Sequence, residues 1–204
     1  MGKRNRAGRI TERRTQAAAK LGDAVTRQLA ALGLEQAKFS VDLNPLETTS
    51  RTRYGAENVN FTVKTIPEMP FAPLEQVASG GELSRISLAI QVATAQIDSV
   101  PSCMYDEVDI GIGGRIAEIV GSKLRLLGSQ RQILCITHLP QVAAQGHGHL
   151  RVIKTDDAEV EIYPLDPALR TDEIARMLGG IKITQQTIAH AEEMLQRVTE
   201  SSLH

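Results

Sequence analysis

The sequence predicts an α/β protein in which a parallel β-sheet is flanked by helices and a long helix leads in from the N-terminus. Three observations predict it. Residues 101–138 spell strand, helix, strand, a βαβ unit of ordinary size whose crossover is right-handed. From Ile10 to Leu34, apolar residues recur at spacings of three and four with no proline between them. Aromatic residues make up only 3% of the 204 and tryptophan is absent, so the core is built from Leu, Ile, Val, Ala and Met. That length suffices for one sizeable core, or a core with an appendage.

In chain order, the N-terminal helix carries its stripe on Ala17, Leu21, Val25, Leu29 and Leu32, with Gly22 as a weak point inside it and Gly33 as a stop. Lys38–Leu43 and Val59–Ile66 alternate apolar and polar residues and read as half-exposed strands around a polar loop, Asn44–Asn58. Pro67, Pro70 and Pro73 then break the chain. A second helix runs from Ser79 to about Ile97, with Leu83, Ile86, Ile90, Ala93 and Ile97 inward. A strand starting at Pro101 ends in Tyr105-Asp106-Glu107. A glycine loop, Gly111–Gly114, opens a helix that turns Ile116, Ile119, Val120, Leu124 and Leu127 inward. The strand Gln132–Thr137 ends at His138. Two further strands, His149–Ile153 and Val160–Tyr163, precede helices near Asp172–Leu178 and Thr184–Val198.

Composition sets bounds on function. The net charge of −1 neither favours nor excludes nucleic acid, so local patches decide. No apolar run approaches the ~20 residues that span a bilayer, and no apolar segment follows the basic N-terminus as in a secretory signal. A cytoplasmic protein with no membrane partner is expected. Cys103 and Cys135 lie in apolar runs and read as buried thiols in strands, not as a disulfide or zinc ligands. His147-Gly148-His149 reads as a turn before a strand, with metal binding as the weaker alternative. Lys3, Arg4, Arg6, Arg9, Arg13 and Arg14 face only Glu12 as counter-charge. Such a run either meets DNA phosphates or is a solvated helix end.

Three constellations carry chemistry. In Ser79-Gly80-Gly81-Glu82, a serine N-cap with glutamate three residues later is a capping box. That explains the outer residues but not the glycine pair, since each glycine costs about 0.8–1 kcal/mol against alanine in a helix. A bare helix start does suit an anion, whose phosphate oxygens meet free N–H groups and the positive end of the helix dipole. The second constellation is Asp106-Glu107, adjacent carboxylates at the C-terminal end of a strand, where α/β sheets bind ligands. One such carboxylate can hold Mg²⁺ and the other can orient or deprotonate a water; the plain alternative is an acidic turn. The third is His138, which opens onto the same edge if the two strands are neighbours.

Taken together these residues resemble the ATP-binding cassette superfamily. Ser79-Gly80-Gly81-Glu82 resembles its signature motif, Asp106-Glu107 its Walker B pair, Asp109 its D-loop residue and His138 its switch histidine. The stretches VASGGELSRISLAIQVATA, DEVDIGIGG and CITHLPQVAAQGH are most similar to a DNA-repair branch of the SMC-like ATPases, over most of residues 36–180. The resemblance implies that residues 1–35 end a coiled-coil arm and residues 36–204 form the C-terminal lobe of an ATPase head. It implies ATP and Mg²⁺ as ligands, with Asp106 on the metal through its water shell, Glu107 as base and His138 as sensor of the γ-phosphate. By the same resemblance Ser79, Gly80 and Gly81 would contact the γ-phosphate of ATP held by a second, identical head, and Glu82 and Asp109 count among the nucleotide-binding residues. DNA is the implied macromolecular partner, and the location is the nucleoid.

One departure matters. The Walker A loop, Gly-x-x-x-x-Gly-Lys-Ser/Thr, does not occur in the sequence. The resemblance therefore implies that an N-terminal Walker A lobe supplies it, and that this chain alone holds no ATP tightly and is inactive. Two other readings remain at this point. One is an interaction module without enzymatic role. The other is the nucleotide-binding subunit of another cassette ATPase, such as a transporter, against which Glu82 speaks because transporters commonly carry glutamine there.

Overall fold

A computed structural model describes residues 2–52, 54–77, 79–95, 100–155, 159–179 and 183–201. The chain divides into two compact units, residues 1–98 and 99–204.

The first unit opens with α1 (Gly2–Ala31), eight residues longer at its start than the apolar stripe indicates. Among the described side chains its C-terminal half is the more deeply packed: Val25, Leu29 and, just past its end, Leu32 are buried, whereas Ala17 is exposed. The helix lies along β1 (Lys38–Pro45), and Gly22 makes that possible. A Cβ at Gly22 would stand 3.3 Å from the Phe39 carbonyl oxygen, while Thr26 Oγ1 accepts the Phe39 N–H at 3.1 Å. The residue that weakens the helix on propensity is the one that lets a strand approach it. β1 pairs antiparallel with β2 (Glu57–Lys64), which pairs antiparallel with a two-residue β3 (Ala72–Pro73). Near its N-terminal end α1 is tied to β2, where Thr11 donates to Glu57 and Arg14 Nη1 meets Glu57 Oε2 at 2.9 Å. The Thr11 hydrogen bond, with Arg14 behind it, holds the Glu57 carboxyl below the usual carboxylate range.

The unit closes with α2 (Gly80–Thr94). Its buried residues are Gly81, Arg85, Ile86, Leu88 and Ala89; of the expected stripe Ile86 is buried and Ile90 and Ala93 are half-buried. Leu83 stands 40% exposed, and Ile97 lies outside the described residues.

In the second unit β4 (Ser102–Tyr105) and β5 (Gln132–Cys135) are parallel neighbours joined by α3 (Gly114–Gly128), the expected βαβ unit. The parallel sheet stops there. The strands β6 (Leu150–Lys154) and β7 (Val160–Pro164) form an antiparallel hairpin, so among the described residues the sheets are small and mixed rather than one parallel sheet. The reason is connection length: β4 and β5 are joined by the full crossover helix α3, whereas β6 ends at Lys154 and β7 starts at Val160, a connection too short for a parallel crossover.

After β5 comes α4 (Pro140–Ala143), a short helix that periodicity cannot register. Its close packing on α3 depends on Gly121, where a Cβ would fall 2.7 Å from Gln145 Cγ and 3.1 Å from Val142 Cα. Two helices come next, α5 (Pro167–Gly179), which starts five residues earlier than expected, and α6 (Gln185–Ser201). Ala143 and Ala144 join Ile174, Ala175 and Ala191 in one aliphatic cluster. The cysteines are half-buried rather than buried. Burial, then Asp109 and Asp106, push the Cys135 thiol up to about 12.

Candidate functional site

The site is built on the end of the parallel pair. The register sets Cys103 against Ile133 and Tyr105 against Cys135, and the Ile136 N–H donates to the Tyr105 carbonyl at 2.9 Å. The two strands therefore end together, and the residues beyond them emerge at one edge. Asp106 and Glu107 leave β4 exposed, while Thr137 and His138 leave β5. The condition under which His138 shares an edge with the carboxylate pair is met.

The turn after β4 is strained. Glu107 has φ 59°, a left-handed conformation seen at no other non-glycine residue among those described. Such a backbone costs on the order of 1–3 kcal/mol, and strain of this kind gathers at functional sites. Two interactions hold it. Asp106 Oδ1 accepts the Glu107 N–H at 2.9 Å, and the Glu107 carbonyl accepts the Ile110 N–H at 3.2 Å. The inversion also turns Val108 and Asp109 inward, with exposures of 0% and 2%.

Asp109 then links the two strand ends. Its Oδ2 accepts the Thr137 hydroxyl and, at 3.2 Å, the His138 N–H, and it stands 3.4 Å from His138 Nδ1. Thr137 Oγ1 in turn accepts the Leu139 N–H at 3.0 Å. His138 itself is 69% exposed along its side chain, so a buried carboxylate fixes the base of a residue whose ring faces outward. The motif resemblance set Asp109 beside the nucleotide. It missed the contribution of Thr137 altogether, since a strand-terminal threonine has no pattern of its own.

The remaining motif begins α2 in the first unit. Ser79 has extended backbone, and its Oγ accepts the Glu82 N–H at 3.4 Å, the serine half of a capping box. The first helical hydrogen bond runs from Leu83 N–H to the Ser79 carbonyl at 3.0 Å. The Gly80 and Gly81 N–H groups thus lie ahead of the helical ladder, as the first donors of any helix do. Gly80 is exposed and Gly81 buried.

Asp106 supplies an exposed oxygen donor at a strand end, the ligand type a hard cation such as Mg²⁺ takes. Among the described residues no group of three or more His, Cys, Asp or Glu could hold a metal by itself. No described helix is long and apolar enough to cross a membrane.

No protein-family model matches the chain. It is 47% identical over 200 residues to the DNA repair protein RecN of Xylella fastidiosa, and 43% identical over 192 residues to that of Vibrio cholerae. These alignments cover 97% and 93% of the chain but only 36% and 34% of the relatives, so the chain spans about a third of their length. In structure it resembles the Smc head domain with coiled coil and joint from Pyrococcus yayanosii, with a TM-score of 0.57 and 16% identity, over 79% of this chain and 29% of that one. A structure from a study of ATP-driven dimerization and DNA-stimulated activation of SMC ATPases matches at TM-score 0.50 and 14% identity, over 82% of this chain and 96% of that one. At such identities the structural likeness shows the fold. With the sequence matches, it makes this chain a homologue of the DNA repair protein RecN with an α/β fold of the SMC-head type.

Proposed function

We propose that the chain is the C-terminal lobe of the ATPase head of a protein that acts in recombinational repair of DNA double-strand breaks, and that it supplies half of an ATP site at a head–head interface. The observation that carries this is the shared edge of β4 and β5, where Asp106 and Glu107 stand beside a histidine anchored through Asp109. The likeness to RecN supplies the cellular process, and the SMC study supplies the precedent of heads joined by ATP.

Each residue has a task. Glu107 takes a proton from the water that attacks the γ-phosphate, giving ADP and phosphate. Asp106 holds Mg²⁺, which when bound offsets the charge of the phosphates. His138 contacts the γ-phosphate, and Asp109 positions it from below while Thr137 completes the clamp. On the opposite head's ATP, Ser79, Gly80 and Gly81 present the N–H groups ahead of the α2 ladder. Glu82 closes that helix start, and exposed Leu83 beside it supplies apolar contact across the interface.

The phosphate-cradling Walker A loop comes from an N-terminal lobe of the same protein. DNA meets the whole protein, and the exposed Arg9 and Arg13 of α1 are cations this chain offers it.

The test is Glu107→Gln in the intact protein. Hydrolysis is expected to fall at least about 100-fold, the usual contribution of a general base, while ATP still drives head association. Normal turnover by this variant removes Glu107 from the mechanism.

A further inference from the structure

Away from the β4–β5 edge, the second unit holds a cavity of about 580 Å³ that the ATPase reading leaves unused. That is within the usual range for small-molecule sites. Arg125 and Arg170 give it a cationic side on which His147 and His149 also lie, and Leu165 and Leu195 contribute apolar surface.

Arg170 dominates the cationic side. Its Nη2 donates to the carbonyls of Ala144 at 2.8 Å and Gly146 at 2.6 Å, beyond the end of α4. Its Nε is buried with no hydrogen-bond partner, although buried N–H groups are nearly always paired. Among the described residues no carboxylate forms an ion pair with it. Burial, and then the charge of Arg125, hold its pKa below the ordinary guanidinium value. Arg125 is fixed on the same side by donating from Nη1 to the Gln145 carbonyl at 2.8 Å.

The histidines point the same way. His149 Nδ1 is buried and also lacks a partner. Burial and the two arginines hold His147 below the ordinary imidazole range, and burial and Arg170 do so for His149. Glu173 opposes this at His149, but its carboxylate is already engaged by Arg176 at 2.6 Å and Arg151 at 3.3 Å.

We propose that this cavity binds an organic phosphate, its anionic head between Arg170, Arg125 and the two imidazoles and its apolar body against Leu165 and Leu195. Such a head sets its charge beside the Arg170 and Arg125 guanidiniums and relieves the repulsion between them. It also favours protonated imidazoles.

The 204-residue chain tests this directly. Inorganic phosphate and phenyl phosphate are titrated at constant ionic strength while the ring signals of His147 and His149 are followed by NMR. Saturable shifts of both rings are expected, with phenyl phosphate binding about tenfold more tightly because its ring covers apolar surface. The bound anion raises the titration midpoints of both rings. Thr199, exposed on α6 and lining the cavity, can be changed without disturbing Arg170. Thr199→Glu places a competing carboxylate there and is expected to weaken phosphate at least tenfold with the fold intact. The proposal is overturned if the shifts do not saturate, if Thr199→Glu binds as tightly as the parent, if phosphate moves only His138, or if phenyl phosphate binds no more tightly than phosphate.

Discussion

Asp109 shows how a residue can be recognised by motif and still have its physical role hidden. Its position after the Asp106-Glu107 pair marks it in sequence, but only the fold reveals a side chain 3% exposed that joins two strand ends. Burying a carboxylate is costly unless donors meet it, and here the Thr137 hydroxyl and the His138 N–H do so. Asp109→Ala leaves both donors without that acceptor. The expected loss is about 2–3 kcal/mol of stability, the cost of stranding buried polar groups, measured by urea unfolding of the chain. Asp109→Asn keeps one acceptor oxygen and is expected to lose less than Ala. Equal stability of parent and Ala variant contradicts the clamp. At this scale the sequence displayed the residues that bear charge or lack side chains, Asp106, Glu107, His138 and the glycine pair. It hid Thr137, whose part depends on which strand lies beside which, and the φ inversion at Glu107, which no residue type announces.

Among elements, length decided what was legible. The strand–helix–strand unit and the long α1 impose many repeats of their period, and both are present. Four-residue α4 spans barely one turn and β3 has two residues, too short for any period. The inward face of α2 was only partly legible: Ile86 is buried as expected, but the face turns toward Leu88 and Ala89 and takes in Arg85, a charged residue that apolar periodicity does not count. Gly121 raises the opposite issue, a residue that propensity disfavours and packing requires. Alanine there improves helix propensity by about 1 kcal/mol. Its methyl, however, would meet Val142 Cα at 3.1 Å as well as the Gln145 side chain. Overpacking of this kind costs about 1–3 kcal/mol, so Gly121→Ala is expected to destabilise the chain overall. A higher melting temperature for this variant would show that α4 yields easily.

For the molecule as a whole, the most informative surface is the bare face of β4 and β5. Met104, Leu134 and Ile136 are 68%, 44% and 58% exposed. Parallel strands are ordinarily covered on both sides, so this face calls for a further layer. That agrees with a chain spanning about a third of its RecN relatives and lacking a Walker A loop. On the proposed reading the N-terminal lobe provides both the layer and the loop, and the exposed edge of Asp106, Glu107 and His138 becomes half of a composite site. Composition alone could not reach this conclusion, because a 42% hydrophobic, nearly neutral chain fits most globular proteins. The ordered motifs pointed to it, and the structure adds the reason Asp106, Glu107 and His138 share one edge.

The decisive experiment mixes this chain with a separately produced Walker A lobe from a RecN relative and records phosphate release from ATP. Magnesium-dependent turnover above the sum of the two parts is expected if the β4–β5 edge is half of an ATPase site. A folded, associated mixture that releases no phosphate would refute that assignment.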